Sequence, residues 1–421
     1  MKPNPTIAKI RALEILDSRG NPTLKVEIIT RGGVTGFATV PSGASTGSYE
    51  ALELRDENKK RFGGKGVLKA IKIIEKKIFP VLKGVNVLEQ QKIDCSMIDL
   101  DRTPNKSHLG ANSILGVSLA CARAGATTLG HPLFRYLQDV YSFPREKRLP
   151  IPMCNLVNGG RHSDSGLDIQ EFMIVPIGIK KSFSEKMRAV SEIYQTLGKI
   201  LKEKKYSTAV GDEGGYAARL PKNRTPLEFL EIATKKAGYR WGKEICIGLD
   251  AAASEFYQKD KNIYYLSKEK KKLTTEGLIS VYKKWSQKFP LAIIEDGLAE
   301  DDWKGWQLLT KELGDKIALI GDDFTVTSTQ RLQEAMDQKA CNAILIKTNQ
   351  IGTLSEAVEC IRLAQAHKFK VAVSHRSGET SGYFIADLAV ATGADFIKSG
   401  APCRGERVAK YNRLIEIEKW F

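Results

Sequence analysis

The sequence predicts an α/β protein in which a TIM-like β/α barrel follows an N-terminal α+β cap domain. Six short apolar runs in the C-terminal half each end at a charged or polar residue, and most are followed by a helix-length amphipathic segment. Four successive intervals of roughly 23 to 28 residues separate the later runs, which suits one strand and one crossover helix. An open doubly wound sheet is the alternative arrangement of such units.

The polar ends of these runs are the first candidate site residues. In chain order they are Asp250, Glu295, Asp322, Lys347, the triplet His375-Arg376-Ser377, and Lys398. The runs are too apolar for strands with one face in water, as expected for a parallel sheet covered on both sides. Because the carboxyl ends of barrel strands meet at one mouth, these side chains are expected to face one another.

The N-terminal part has strand signals first and helix signals second. Apolar residues alternate with polar ones at positions 24–28, a turn follows, and a second extended run continues through Val40, which indicates a meander of three strands. Helical spacing appears in residues 67–78 and again in 111–126. This order is typical of a small α+β domain rather than of a barrel.

Chain length supports two domains. A complete barrel needs roughly 250 residues, and the chain has 421. A link that carries proline and charge, residues 143–150, separates the two patterns. We therefore predict a cap domain at 1–139 and a catalytic barrel at 140–421.

Two further segments carry local signals. The run PSGASTG at 41–47 is too small and polar to bury a core, so it is either a surface loop or a lid over the barrel mouth that brings a hydroxyl or carbonyl to a metal. Thr225–Glu228 and Thr353–Glu356 both have the pattern of a helix capping box.

Composition excludes several classes of protein. No apolar run of about 18 residues exists, and the N-terminus lacks the apolar core of a signal peptide. Seven cysteines, an odd number without a CxxC pair, argue against a disulfide framework or a zinc cluster. We expect a soluble cytoplasmic protein with reduced thiols and no membrane partner.

The chain is strongly basic. It has 65 Lys and Arg against 49 Asp and Glu, a net charge of +16. These charges are dispersed along the chain without an aromatic platform or a nucleic-acid-binding module, so a lysine-rich solvated surface is favoured over a polyanion site. The same field would attract a small anionic substrate.

Three strand-end carboxylates suggest a metal site. Asp250, Glu295 and Asp322 would repel one another if they were buried together, and a hard divalent cation such as Mg²⁺ would neutralise them. The alternative is that each is a helix cap or a member of an ion pair. Lys347, beside such cations and near Lys398, is expected to have a lowered pKa and to act as a general base. The alternative is that Lys347 forms an ion pair with the carboxylates.

Two other groups of residues are candidates for an anion-binding site and for a general acid. Arg376 and Ser377, after a strand, suit a phosphate or a carboxylate. Glu171 and Glu213 are expected to form a pair whose mutual repulsion keeps one carboxyl protonated as a general acid. A base on one side and an acid on the other suit proton abstraction followed by loss of water.

Ten motifs in order make the chain resemble the enolase family over essentially its whole length. They are DSRGNPT at 17–23, PSGASTG at 41–47, NKSHLGAN at 105–112, NGGRH to LDIQEF within 158–172, GDEGG at 211–215, IIED at 293–296, GDD at 321–323, KTNQIGT at 347–353, SHRSGET at 374–380 and IKSGAP at 397–402. The resemblance implies interconversion of 2-phosphoglycerate and phosphoenolpyruvate in glycolysis and gluconeogenesis. It also implies two Mg²⁺ ions per active site and a homodimer or a ring of dimers.

The resemblance assigns roles by position. Asp250, Glu295 and Asp322 match the ligands of the first metal, and Ser45 matches the protein ligand of the second. Lys347 matches the base that takes the C2 proton, and Glu213, supported by Glu171, matches the acid at the C3 hydroxyl. The remaining matched positions bind substrate: His162, His375, Arg376, Ser377 and Lys398.

The chain departs from the family pattern at several positions. Ser399 stands where threonine is usual, Phe396 where glutamine is frequent and Gly405 where serine is frequent. None removes a group with a chemical role. Two other functional hypotheses remain. The protein is another lyase or racemase of the same superfamily, or its basic surface has an added polyanion-binding role.

Overall fold

The computed structural model describes residues 3–43, 47–145 and 148–421. Within these ranges a small antiparallel sheet with helices precedes a closed eight-stranded barrel, which confirms the predicted fold class. The boundary after residue 139 stays a prediction. Among the helices of the same ranges, none is long and apolar enough to cross a membrane.

The N-terminal sheet has three antiparallel strands. They are β1 (Ile7–Leu16), β2 (Pro22–Thr30) and β3 (Thr35–Thr39), in the order β1-β2-β3. The alternating side chains of Leu24, Val26 and Ile28 are fully buried, as the period of two requires for a strand with one covered face.

Five helices accompany this sheet. They are α1 (Leu68–Ile73), α2 (Phe79–Leu82), α3 (Gln90–Asp101), α4 (Ala111–Leu129) and α5 (Leu133–Val140), with a π-helical turn at Ile74–Ile78 between the first two. The long helix α4 packs on β2 and β3. A Cβ atom at Gly36 would lie 2.2 Å from the backbone nitrogen of Ala124, so glycine permits this close approach.

Eleven strands follow among the described residues. In chain order they are β4 (Ile151–Asn158), β5 (Glu171–Val175), β6 (Cys246–Asp250), β7 (Tyr257–Gln258), β8 (Ile263–Leu266), β9 (Lys271–Leu273), β10 (Leu291–Glu295), β11 (Ala318–Gly321), β12 (Ala343–Ile346), β13 (Lys370–Ser374) and β14 (Phe396–Lys398). The barrel closes in the order β10-β11-β12-β13-β14-β4-β5-β6, while β7, β8 and β9 form a separate small sheet. Strand β5 runs antiparallel to both of its neighbours, and the other neighbouring strands of the barrel are parallel.

Helices surround the barrel. They are α6 (Phe183–Glu203), α7 (Thr225–Lys236), α8 (Thr275–Lys288), α9 (Trp303–Leu313), α10 (Thr329–Asp337), α11 (Thr348–Ile351), α12 (Leu354–Ala366), α13 (Phe384–Ala391) and α14 (Gly405–Glu418). Thr353 caps α12 as predicted, because its hydroxyl accepts a hydrogen bond from the Glu356 amide. The predicted cap at Thr225 is wrong, since Arg224 precedes the first turn of α7 and Thr225 lies inside it.

The barrel interior is filled by its own apolar cluster. Its buried members are Met153, Met173, Val175, Ile293, Ile320, Ala343, Leu345, Ala372 and Phe396. These side chains close the barrel below the strand ends, so a polar site can exist only at the mouth. Phe396, one of the departures from the family pattern, belongs to this packing and not to the site.

Polar contacts join the cap to the barrel at the start of α12. The Asp94 carboxylate, on α3, accepts hydrogen bonds from the amide (3.0 Å) and the hydroxyl (2.7 Å) of Ser355. Lys106 pairs with Glu356 at 2.7 Å. Both cap residues are buried, so these contacts fix the position of the cap over the barrel.

Candidate active site

Four strand ends bring charged side chains to one mouth of the barrel. Asp250, Glu295 and Lys398 are the last residues of β6, β10 and β14. Glu171 is the first residue of β5, and because that strand is antiparallel its beginning lies at the same mouth. In the strand register Asp250 pairs with Glu171 on one side and with Glu295 on the other. Three carboxylates are therefore neighbours across three strands.

A polar cleft that is partly open to solvent lies at this mouth. Its lining residues are His162, Gln170, Glu171, Glu213, Asp250, Ala252, Asp296, Asp322, Asp323, Lys347, Ser374, His375, Arg376, Ser377 and Lys398. Of the residues predicted from the sequence, Glu295 is fully buried beside the cleft, and Ser45 lies outside the described residues. The other predicted residues come together here.

Lys398 forms ion pairs with three of the carboxylates. Its ammonium lies 2.7 Å from Glu295 Oε1, 3.0 Å from Asp250 Oδ2 and 3.2 Å from Glu171 Oε1. Burial disfavours the charged amine, but the three carboxylates outweigh burial and raise the pKa of Lys398 well above its usual value. Burial and repulsion from Asp250 raise the pKa of Glu295 to about 8.

Lys347 pairs with Asp322 in this structure. The Asp322 carboxylate accepts hydrogen bonds from the Lys347 ammonium and, at 2.9 Å, from the Gln350 side-chain amide. Although burial lowers the pKa of Lys347, the Asp322 charge outweighs it and raises the pKa. This is the reverse of the lowered pKa predicted from the sequence, which assumed a site crowded with cations. The ion pair was the stated alternative.

Asp322 belongs to a compact acidic group. One carboxylate oxygen from each of Asp296, Asp322 and Asp323 lies within 4.8 Å of the others, a spacing suited to a metal ion. The Asp296 carboxylate also accepts the backbone amides of the other two, at 2.9 and 2.8 Å. Burial and the neighbouring Asp322 raise the pKa of Asp323 to about 8. This group shares only Asp322 with the predicted ligand set of Asp250, Glu295 and Asp322, and the other two predicted ligands both contact Lys398.

The residues at the mouth fit a hard divalent cation. Their donors are carboxylate oxygens, which Mg²⁺ and similar ions prefer. Oε2 of Glu295 is buried and has no hydrogen-bond partner among the described residues, so one oxygen remains available to a ligand. An unpaired buried carboxylate oxygen costs free energy unless a cation or a donor meets it.

A second cluster combines an imidazole with two carboxylates. Nδ1 of His162 lies 3.5 Å from Glu171 Oε1 and 3.7 Å from Glu213 Oε2. Burial and the Glu213 charge raise the pKa of Glu171 well above its usual value. Burial would also raise the pKa of Glu213, but nearby positive charges, among them Arg407 and Lys398, lower it well below that value. The two pKa shifts are opposite in direction, and they favour a proton on Glu171 over one on Glu213.

Arg376 is held by a residue that the sequence analysis did not select. Its guanidinium donates to both carboxylate oxygens of Glu50, at 2.8 and 3.1 Å, and to Asn349 Oδ1 at 3.1 Å. Glu50 follows the 41–47 loop in the chain. A carboxylate on Arg376 indicates the kind of anion that this guanidinium can bind.

Two family models match the chain. The model of the enolase N-terminal domain matches residues 7–137, and the model of the enolase C-terminal TIM barrel domain matches residues 146–421. The chain belongs to the enolase family. This membership implies a lyase of the enolase superfamily with a small-molecule substrate, and it agrees with acidic groups able to hold a divalent metal.

The enolase loop at 41–47 is anchored on both sides of its undescribed residues. Before them, Ser42 exchanges backbone hydrogen bonds with Gly378, at 2.7 and 2.9 Å. After them, the amide and hydroxyl of Ser48 donate to Glu300. Both barrel partners, Gly378 and Glu300, lie on loops at the barrel mouth.

Several residues of the enolase site were missed by the sequence analysis, and two acidic ones among them had a signal. Asp296 and Asp323 directly follow the selected acids Glu295 and Asp322, so an inspection of both acids in IIED and GDD would have found them. Glu50 lies on a connecting segment with no pattern of its own. Its role is visible only through its contact with Arg376.

Proposed function

We propose that this enolase-family chain is a phosphopyruvate hydratase, which interconverts 2-phosphoglycerate and phosphoenolpyruvate in glycolysis and gluconeogenesis. One observation carries the proposal. One cleft at the barrel mouth is lined by an amine, Lys347, by a carboxylate pair whose pKa values are shifted in opposite directions, Glu171 and Glu213, and by a guanidinium, Arg376. Removal of a carbon-bound proton and loss of a neighbouring hydroxyl need these groups together.

Two Mg²⁺ ions would complete the site. Asp250, Glu295 and Asp322 would hold one, and Ser45 would bind the other. When bound, the ions would stabilise the negative charge that develops on the substrate carboxylate. Lys398, which already contacts three carboxylates, would contact the substrate carboxylate.

Lys347 would take the proton from C2. A base must be neutral, and the Asp322 charge currently favours the protonated amine. Because Asp322 is also a proposed metal ligand, its charge would be shared on metal binding and its hold on the Lys347 proton would weaken. Lys347 is buried, which favours the neutral amine once that carboxylate is engaged elsewhere.

The carboxylate pair would act on the leaving hydroxyl. Glu213 would assist its departure, and Glu171 would supply the proton that the pair holds. Burial lowers the pKa of His162, which favours the neutral ring, and Nδ1 of this ring lies 3.5 Å from Glu171 and 3.7 Å from Glu213. Arg376 and Ser377 would bind the phosphate and His375 would border the substrate, with Glu50 displaced from the guanidinium.

The resemblance also supports a homodimer, or a higher oligomer of dimers, that works in the cytoplasm without membrane or nucleic-acid partners. Sedimentation of the purified chain checks the oligomer. A species with the mass of one chain would contradict this part of the proposal.

The absorbance of phosphoenolpyruvate tests the activity directly. Addition of 2-phosphoglycerate should raise this absorbance in the presence of Mg²⁺, and a chelator should abolish the rise. No rise with Mg²⁺ would overturn the hydratase assignment. Proton exchange next to the carboxylate of another acid would then identify a different lyase or racemase of the superfamily.

A further inference from the structure

Arg407 is a fully buried arginine behind the mouth of the barrel, near the start of α14. Its guanidinium donates to the backbone oxygens of Arg376 and Ser377, both at 2.6 Å, and of Asp212 at 3.0 Å. These acceptors lie on two different segments of the site. Arg407 therefore ties the segment that carries Arg376 to the segment that carries Glu213.

A fourth hydrogen bond joins Arg407 to an imidazole. Nη1 lies 2.6 Å from Nδ1 of His375. A guanidinium has only donors and does not lose its proton in proteins, so Nδ1 must offer a lone pair. His375 is then neutral, with its proton on Nε2. That nitrogen is buried, lies 3.3 Å from Oε1 of Glu213 and forms no hydrogen bond with the described residues.

We propose that Arg407 is a positioning residue, which fixes His375 in the neutral tautomer with the proton on Nε2, the nitrogen next to Glu213. The inference rests on the proposed function and deepens it, because it names what orients one carboxylate of the acid pair. Nε2 of His375 lies 3.3 Å from Oε1 of Glu213, and the amide of Asn155 donates to Oε2 of the same carboxylate at 3.2 Å.

The surroundings of His375 agree with the neutral ring. Burial lowers the pKa of His375, the Glu213 charge opposes this, and the positive charge of Arg407 lowers the pKa further, so the net shift is well below the usual value. With the opposite tautomer, lone pairs of Nε2 and of Glu213 would face each other at 3.3 Å. Loss of the Arg407 donor would make that repulsive arrangement accessible.

Arg404 provides a matched control. It precedes the same helix, and its guanidinium donates to the backbone oxygens of Gly211 at 3.2 Å and Ser18 at 3.0 Å. It therefore helps to hold the segment that carries Glu213, but none of its described contacts reaches His375. Arg404→Gln removes only hydrogen bonds to backbone oxygens. Arg407→Gln removes such bonds and also the hydrogen bond to the imidazole of His375.

Nitrogen NMR of histidine-labelled protein reads the tautomer directly. The chain has five histidines, so a His375→Gln variant assigns the His375 signals. The wild-type spectrum should show a protonated Nε2 and an unprotonated Nδ1. Arg407→Lys, whose side chain is also donor-only, should retain this pattern, as should Arg404→Gln. Arg407→Gln should not, because its amide oxygen can accept a proton from Nδ1.

A protonated Nδ1 in the wild-type protein would overturn the proposal without any variant, even if Arg407→Gln failed to fold. So would an unchanged His375 spectrum in folded Arg407→Gln. In catalysis, Arg407→Gln should slow phosphoenolpyruvate formation by roughly 100-fold or more while sparing C2 proton exchange. The spectra do not depend on activity, so a failure of the proposed function is distinguishable from a failure of this inference.

Discussion

Lys347 carries the most specific prediction at the scale of single residues. Lys347→Ala removes the only amine paired with Asp322 among the described residues, so exchange of the substrate C2 proton with solvent should be abolished. Mg²⁺ binding should stay nearly intact, because no proposed ligand is lost. Exchange is measured by NMR in deuterated buffer, and metal binding is measured by calorimetry.

A surface lysine serves as the control for this change. Lys283 pairs with Glu312 on the exterior, where ion pairs contribute little, so Lys283→Ala should keep the wild-type exchange rate. If Lys347→Ala still exchanged at the original rate, another residue would be the base.

Glu213 should separate the two halves of the reaction. Glu213→Gln keeps the shape of the side chain but cannot ionise, so loss of the hydroxyl should slow by roughly 10²- to 10⁴-fold while C2 exchange persists. Exchange and phosphoenolpyruvate formation are followed in parallel on one preparation. Equal loss of both would show that loss of the hydroxyl and removal of the C2 proton do not depend separately on Glu213 and Lys347.

The sequence was informative about this site where a residue directly follows an apolar run. Asp250, Glu295, Lys347 and Lys398 were selected on that basis, and each lies at the mouth or beside it. Partners were harder to predict. Which carboxylate meets Lys398, and whether Glu50 meets Arg376, depends on side-chain packing between segments distant in the chain, and no local pattern encodes such packing.

At the scale of elements, the junction of α3 and α12 contains a buried acid. Burial raises the pKa of Asp94 to about 6, although hydrogen bonds from Ser355, Ser118 and Gln90 oppose the shift. A carboxyl whose pKa is higher in the folded state favours folding when protonated. Its contribution is complete below the unfolded value near 3.9 and is lost as the pH rises through 6.

Asp94→Asn should therefore gain stability relative to the wild type as the pH rises from 4 to 7. The expected change in the difference of unfolding free energies is roughly 3 kcal/mol, from about two pKa units. Urea denaturation at several pH values measures it, with Asp99→Asn as an exposed control on the same helix. A difference that did not vary with pH would show that Asp94 is ionised at no extra cost in the fold.

Elements were predicted better than their connections. The inner strands and long helices followed from apolar period, which reflects burial. The reversed direction of β5 could not be predicted in this way, because the apolar pattern of a buried strand is the same whichever way the strand runs. The cap of α7 was misplaced by one residue, since Thr225 and Pro226 satisfy the same pattern whether the first turn begins before or after the threonine.

At the scale of the whole molecule, Mg²⁺ should stabilise the fold without being required for it. Lys398 and Lys347 already pair with the mouth carboxylates, so a chelator should not unfold the chain. Mg²⁺ at 100 times its Kd should add about 2.7 kcal/mol to the unfolding free energy. Thermal denaturation with and without Mg²⁺ measures this shift.

Glu295→Gln should lose most of that gain, because it removes a buried ligand charge. Glu312→Gln, an exposed carboxylate on α9, should keep it. Equal stabilisation of Glu295→Gln and the wild type by Mg²⁺ would remove Glu295 from the metal site.

The reversed strand β5 gives one side of the barrel rim a property that the others lack. The chain leaves β4 and enters β5 at the same rim, so the connection from 159 to 170 begins and ends there and crosses to no outer helix. Residues could be added or removed around positions 163–167 without shifting any helix of the surrounding ring. A change in the length of this one connection would therefore act on the rim beside His162 and leave the outer helices in their places.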